Sequence, residues 1–111
     1  MSAVQYIVEG GHRLAGTIEP TGNKNAALPI IAAALLTDQE VTLENVPRIR
    51  DTEVLVQLLQ AVGASAEWRE RNTLVIQASE IRTDELDAEL CAKIRASILL
   101  AGPLLARCGH V

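Results

Sequence analysis

Lys24 and Asn25 stand directly before a continuous apolar run, residues 26–36, and this position suits anion binding. If the run is a helix, its first turn offers unpaired N–H groups and the positive end of the helix dipole. A lysine at a buried helix start is costly unless an anion compensates its charge, so phosphate or carboxylate binding is the functional interpretation. In the alternative, Lys24 extends into solvent and Asn25 only hydrogen-bonds to loop backbone. Spacing alone leaves both interpretations open.

Arg95 is the second candidate for an anion site. It lies between Ile94 and Ala96, near the start of another strongly apolar stretch. A guanidinium group can grip a carboxylate or a phosphate with two parallel hydrogen bonds. The alternative is a local ion pair with Asp87 or Glu89, and the sequence does not decide between the two.

The remaining charged and titratable residues give weaker signals. Arg48 and Arg50 flank the start of a predicted helix, where a solvated loop is the simpler interpretation. His12 and His110 have no companion Cys, His or carboxylate at metal-ligand spacing. We therefore expect no metal, and nothing in the sequence calls for a cofactor.

Composition excludes several classes of function. The 111 residues make at most one ordinary domain, and the net charge of −4 with 2% aromatic residues argues against nucleic-acid binding. No signal peptide is visible, and the apolar run is shorter than the roughly 20 residues that span a bilayer. Cys91 and Cys108 fit neither a zinc pattern nor a disulfide framework, so we expect buried thiols in a reducing cytoplasm and no membrane partner.

The hydrophobic pattern predicts alternating strands and helices. Strands are predicted over residues 5–9, 13–19, 40–46, 65–69 and 73–78. Helices are predicted over residues 25–36, 52–62 and 91–106, with an irregular polar segment at 84–89.

Helix signals refine this prediction. Asn23 or Thr21 is expected to cap the first helix, with Pro29 in its first turn, and Asp51 is expected to cap the second. The first helix is apolar all round, so we expect it to be enclosed on every side. Gly102-Pro103 predicts a kink inside the third helix.

The two apolar helices also resemble each other. The start at Lys24-Asn25 is echoed by Lys93-Ile94-Arg95, and each is followed by a run of Ala, Ile and Leu. This predicts an α/β fold built from βαβαββ repeat units. One unit would cover residues 22–80, and a second would begin within 88–111 and remain incomplete.

Three ordered segments resemble the UDP-N-acetylglucosamine enolpyruvyl transferases. They are Gly22–Pro29 (GNKNAALP), Leu43–Thr52 (LENVP followed by DT) and Arg95–Arg107 (RASI followed by GPL and AR). The resemblance covers essentially the whole chain, but only the first part of a full family member. It implies the inside-out α/β barrel fold of that family, in which two similar domains are built from βαβαββ units.

The resemblance further implies a bacterial cytoplasmic enzyme of peptidoglycan precursor synthesis. Such an enzyme transfers the enolpyruvyl group of phosphoenolpyruvate to the 3-hydroxyl of UDP-N-acetylglucosamine and releases phosphate. By matching position, Lys24 would hold the phosphate of phosphoenolpyruvate, and Asn25 would contact the reacting sugar hydroxyl or the tetrahedral adduct. Arg95 would lie on the anionic cleft wall.

In the family, a loop with a catalytic cysteine or aspartate follows just beyond the position of Val111. Neither Cys91 nor Cys108 occupies that place, so neither takes that role. Residues 1–21 would form two strands that join a second domain absent from this chain. We therefore expect the chain to need the remaining C-terminal part of a full-length protein and to be catalytically incomplete alone.

Two alternatives remain. The related transferase that acts on shikimate 3-phosphate has a Ser-rich stretch and an Asn-Arg pair after its lysine, unlike residues 25–29 here. Alternatively, the chain is a truncated, non-catalytic binding module. Without a closing domain, its first two strands would lack partners and leave apolar edges exposed.

Overall fold

The computed structural model describes residues 3–83 and 85–111. Its α-helices are α1 (Lys24–Ala33), α2 (Arg50–Ala61), α3 (Ala88–Lys93) and α4 (Ala101–Cys108). Two 3-10 segments cover Ala34–Leu36 and Arg95–Leu100. Its strands are β1 (Val41–Leu43), β2 (Ser65–Arg69) and β3 (Thr73–Gln77). None of the helices described is long and apolar enough to cross a membrane.

The sheet has the strand order β1-β3-β2, and β3 is antiparallel to both neighbours. Val41 lies opposite Ile76, and Ser65 lies opposite Gln77. β1 and β2 therefore run in the same direction, are connected through α2 and have β3 between them. The predicted hairpin over 65–69 and 73–78 is confirmed to within one residue, whereas the predicted strand 40–46 is reduced to three residues.

Helices and sheet enclose an aliphatic core. The largest completely buried apolar side chains are Ile31, Leu35, Leu55, Leu58, Leu59, Leu74, Ile76, Leu100 and Leu104. They come from α1, α2, β3 and the segment around α4, so the core joins the two apolar helical regions. This packing fixes the starts of α1 and α2 relative to each other.

α1 itself is not enclosed on every side, so that prediction is wrong. Ala27, Leu28 and Ile31 are buried, but Ile30 is 50% exposed, and Leu36 in the 3-10 segment that follows α1 is 55% exposed. The neighbours that this chain supplies cover one side of α1, and composition alone cannot report which side is covered. Pro29 lies in the second turn, not the first.

The strands predicted over 5–9 and 13–19 do not form among the described residues. The apolar side chains there are almost fully exposed, including those of Tyr6, Ile7 and Leu14. A strand needs a neighbouring edge to pair its N–H and C=O groups, and no strand of the described residues pairs with this segment. Met1 and Ser2, the first residues of the predicted 1–21 unit, lie outside the described residues.

The third predicted helix is interrupted at a different place from the one expected. Ile94 has extended φ and ψ angles of −140° and 140°, so the chain breaks there and not inside α4. Pro103 falls in the first turn of α4, a part of a helix that tolerates proline. The helix changes from 3-10 to α geometry at Ala101, directly before Gly102-Pro103, and the predicted kink there stays a prediction.

The polar segment predicted as irregular over 84–89 in fact begins α3. Asp87 is the N-cap residue, and its Oδ1 accepts a hydrogen bond from the Glu89 N–H at 2.9 Å. Asp is a preferred N-cap residue. This helix start was not predicted because the segment is polar and has no apolar stripe. Asp84 lies outside the described residues.

Cys91 and Cys108 are partly buried, not fully buried as predicted, and both pack against the core. Arg107, next to Cys108 in the chain, makes a contact that the sequence did not suggest. Its Nη1 donates hydrogen bonds to the carbonyl oxygens of Leu35 at 2.9 Å and Ala78 at 2.8 Å. Arg107 thereby connects α4 to the first helical region and to the end of β3.

Candidate functional site

The start of α1 presents Lys24 and Asn25 as its first two residues. Asn23 is the N-cap residue, with φ −91° and ψ 124°, and its Oδ1 accepts a hydrogen bond from the Ala26 N–H at 3.0 Å. This confirms Asn23, and not Thr21, as the cap. The N–H groups of Lys24 and Asn25 belong to the first turn, where no helical carbonyl can reach them. Both side chains are exposed beside these donors.

The start of α2 is built differently from the prediction. Ile49 occupies the N-cap position, and Asp51 is the second helical residue, so Asp51 is not the cap. Capping falls to the buried Thr52, whose Oγ1 accepts a hydrogen bond from the Ile49 N–H at 3.1 Å and donates one to the Pro47 carbonyl at 2.6 Å. The carboxylate of Asp51 is thereby left for another partner.

That partner is Lys24. Its Nζ lies 3.3 Å from Asp51 Oδ2, with the two side chains 48% and 35% exposed. The ion pair places the first turns of α1 and α2 side by side, so two helix starts face the same region. Lys24 is therefore neither buried without a partner nor simply extended into solvent, and its ammonium group remains accessible.

Gly22 brings the first and second motifs of the sequence into contact. A Cβ atom on Gly22 would overlap the carbonyl oxygen of Asn45 and lie 2.7 Å from Cδ of Pro47. Asn45 has a positive φ of 56°, and the next residue, Val46, is held by two hydrogen bonds with Asn72. The loop that carries the second motif is thus fixed directly against the residues that precede Lys24.

Two open cavities flank this helix start. One, of about 330 Å³, lies between α1 and β1 and is lined partly by Asn23, Ala26 and Asn45. The other, of about 580 Å³, is lined partly by Arg48 and Asn72. Neither cavity is lined by the three predicted site residues, which lie on open surface.

Arg95 begins the second 3-10 segment, immediately after the break at Ile94. Within residues 3–83 and 85–111, its side chain makes no ion pair or hydrogen bond, so the predicted alternative of a pair with Asp87 or Glu89 does not occur. The carboxylate of Asp87 instead caps α3. The structure describes no contact between Arg95 and Lys24 or Asn25, and a shared site for the three stays a prediction.

Arg48 and Arg50 are accounted for without a ligand. Arg48 Nε lies 3.1 Å from Glu53 Oε1, and its guanidinium group lies 5.1 Å from the centre of the Trp68 ring. Arg50 is the first residue of α2 and is exposed. The structure describes no contact between either arginine and Lys24.

Known proteins similar to this chain form a consistent group. The profile of the family described as EPSP synthase (3-phosphoshikimate 1-carboxyvinyltransferase) matches residues 8–111. A UDP-N-acetylglucosamine 1-carboxyvinyltransferase of Bradyrhizobium diazoefficiens is 74% identical over 111 residues, which are 100% of this chain and 26% of the relative. A protein of the same name from Treponema denticola is 48% identical over 105 residues, covering 95% of this chain and 25% of the relative.

A solved structure supports the fold. The crystal structure of the enolpyruvyl transferase NikO from Streptomyces tendae matches with a TM-score of 0.77 and 35% identity, over 90% of this chain and 23% of that one. The α/β fold predicted from the sequence is thereby confirmed. The chain spans about a quarter of the length of the curated relatives it matches.

Proposed function

Because this chain belongs to the EPSP synthase family, we propose that it forms the first part of an enolpyruvyl transferase. The reaction moves the enolpyruvyl group of phosphoenolpyruvate to the 3-hydroxyl of UDP-N-acetylglucosamine and releases phosphate. It is the first committed step of peptidoglycan precursor synthesis. The 74% identity to a relative named for this activity supports the choice of acceptor. The proposal concerns the whole protein, since this chain corresponds to about a quarter of such relatives.

The observation that carries the proposal is the accessible start of α1. Lys24 offers an ammonium group there, and its own N–H and that of Asn25 lie in the first turn. Full charge, N–H donors and the helix dipole combine to favour a bound anion. We assign the phosphate of phosphoenolpyruvate to Lys24.

Asn25 and Arg95 complete the proposed wall. An amide side chain both donates and accepts hydrogen bonds, so Asn25 suits the reacting sugar hydroxyl or the tetrahedral adduct. Arg95 is exposed and unpaired among the described residues, which leaves its guanidinium group available to an anionic substrate. These residues act by positioning and by stabilising charge, and each cation contributes roughly 2–4 kcal/mol to transition-state stabilisation. The general acid and the opposite wall come from other parts of the full-length protein.

The domain arrangement proposed here follows the same assignment. Residues 1–21 supply two strands to another part of the protein, which would cover exposed side chains such as Tyr6, Ile7 and Leu14. Residues 22–80 form one repeat unit, and a second begins within 88–111. The enzyme acts in the bacterial cytoplasm and, through peptidoglycan synthesis, supports cell shape and cell division.

Phosphate release tests the proposal. The full-length gene product, incubated with phosphoenolpyruvate and UDP-N-acetylglucosamine, is expected to release phosphate only when both substrates are present. No release with both substrates would refute the proposed activity. A parallel reaction with shikimate 3-phosphate as acceptor tests the second candidate, which the description of the matching family profile favours. We expect no phosphate release in that reaction.

A non-catalytic role for the 111-residue chain alone is the third candidate. The exposed apolar residues of its N-terminal segment favour this role, because they offer a surface to another polypeptide. The purified 111-residue chain is expected to release no phosphate from the two substrates. Turnover by this chain alone would show that catalysis does not require the general acid and the opposite side of the cleft from other parts of the full-length protein.

A further inference from the structure

The ion pair between the two helix starts has a consequence for the site. Lys24 is the first residue of α1, Asp51 is the second residue of α2, and their charged groups lie 3.3 Å apart. We propose that Asp51 is a positioning residue, whose carboxylate holds the Lys24 ammonium group where an anionic ligand meets it. This inference rests on the proposed function, because it assigns a role at the same site.

The charges of the two helix starts explain the pairing. A negative side chain is favourable at a helix N-terminus and a positive one is unfavourable. Asp51 therefore stabilises its own helix in its present place, whereas Lys24 destabilises its helix unless a negative charge lies nearby. Asp51 supplies that charge before any ligand binds.

The ammonium group can serve Asp51 and a ligand together. It has three donors, and its described ion pair is with one carboxylate oxygen at 3.3 Å. The Lys24 side chain is 48% exposed, so the other donors remain open to an approaching phosphate. The carboxylate fixes the direction of the ammonium group for the reaction, while its own negative charge offsets part of the attraction for the bound anion.

Asp51 does not cap α2, so its carboxylate has no capping role at this helix start. Thr52 supplies the side-chain hydrogen bonds at this helix start, with the Ile49 N–H and the Pro47 carbonyl. Among the described residues, Asp51 makes no ion pair or side-chain hydrogen bond other than that with Lys24. Its carboxylate is therefore free to act through Lys24.

Glu53 provides a matched control. It lies two residues from Asp51 in the same first turn, and it pairs with Arg48 and not with Lys24. Its side chain is 46% exposed, close to the exposure of Asp51. Glu53→Gln thus removes the same charge from the same helix start without touching the site.

Steady-state kinetics of the full-length gene product tests the positioning role. Asp51→Asn is expected to lower kcat about tenfold or more, because the ammonium group loses the charge that holds it in place, without raising KM for phosphoenolpyruvate. Asp51→Glu restores a carboxylate and is expected to recover part of kcat. Glu53→Gln is expected to stay within about twofold of the unsubstituted protein. An unchanged kcat for Asp51→Asn, or an equal loss for Glu53→Gln, would overturn the inference.

Binding of inorganic phosphate, measured by calorimetry, needs no turnover and separates this inference from the proposed function. Asp51→Asn is expected to bind phosphate more tightly than the unsubstituted protein, because the Asp51 carboxylate no longer competes with phosphate for the Lys24 ammonium group. The same substitution made together with Lys24→Ala is expected to change the affinity of Lys24→Ala by less than about twofold. Weaker binding by Asp51→Asn, an equal effect in both backgrounds, or no phosphate binding by the unsubstituted protein would each overturn it. If phosphate binds as expected but no phosphate is released from the two substrates, the proposed function alone fails.

Discussion

Arg107 Nη1 donates a hydrogen bond to the Ala78 carbonyl at 2.8 Å, and this contact joins α4 to the end of β3. The same atom also reaches the Leu35 carbonyl, so one side chain connects three parts of the fold. Hydrogen bonds from a charged donor stabilise a protein more than neutral ones. Arg107 is therefore expected to matter for stability although it lies outside the proposed site.

Arg107→Met is expected to lower the free energy of unfolding of the 111-residue chain by about 1.5–3 kcal/mol. Methionine keeps much of the aliphatic stem but cannot donate to the two carbonyl groups. Urea denaturation followed by circular dichroism measures the change. Arg71→Met is the control, since Arg71 is exposed and has no described ion pair, and a change within about 0.5 kcal/mol is expected there. Equal effects of the two substitutions would contradict the role of Arg107.

Gly22→Ala is expected to destabilise the fold by more than about 1 kcal/mol, because the new Cβ would overlap the Asn45 carbonyl oxygen. The loop that contains Asn45 cannot retreat easily, since Val46 is held by Asn72 through two hydrogen bonds. Thermal unfolding measures the loss. Gly102→Ala is the matched control: nothing lies within 4 Å of its Cβ position, and alanine favours a helix. A melting temperature that falls equally for both would contradict the close approach at Gly22.

Asn23→Ala is expected to cost about 1 kcal/mol of stability, because the Ala26 N–H loses its side-chain acceptor. Asn23→Ser should retain most of the stability, since serine also caps helices well. The free energy of unfolding of both variants measures the difference. If alanine and serine prove equivalent at this position, the hydrogen bond at 3.0 Å does not contribute.

Lys24→Ala in the full-length gene product is expected to lower kcat/KM for phosphoenolpyruvate by a factor that corresponds to roughly 2–4 kcal/mol. The physical reason is the loss of the cation that faces the phosphate. Lys93→Ala is the control, because Lys93 is an exposed lysine at the end of α3 with no described ion pair. Unchanged phosphoenolpyruvate kinetics for Lys24→Ala would remove this residue from the site.

Local signals in the sequence predicted a large part of the fold. The hairpin of β2 and β3 and the bounds of α2 follow from alternation and from an apolar stripe, both of which depend on near neighbours. The cap of α1, Asn23, was one of the two candidates that the sequence offered, the other being Thr21. The cap of α2 was assigned two residues too late, at Asp51 and not at Ile49, because the side chain of Ile49 gives no capping signal and the side chain of Thr52 supplies the hydrogen bonds from within the first turn.

The contacts that the sequence did not predict are between distant residues. Arg107 and Leu35 are 72 positions apart, and no spacing rule connects them. The pairing of Lys24 with Asp51 likewise depends on how α1 packs against α2. The break at Ile94 was missed for another reason: an apolar run fits buried helix and buried extended backbone equally well. A helix does start at Lys24, while the roles of Lys24, Asn25 and Arg95 in a shared site stay predictions.

The extended segment before Gly22 acts as a tether. Residues 3–20 lie exposed in the described structure and, fully stretched, reach at most about 65 Å. The close approach of Gly22 to Asn45 fixes one end of this segment. Any partner strand within reach on the same molecule meets the tether at an effective concentration set by its length, on the order of millimolar for short flexible linkers. Strand pairing that would be too weak to hold two separate molecules together can therefore hold this segment against a strand of the same molecule.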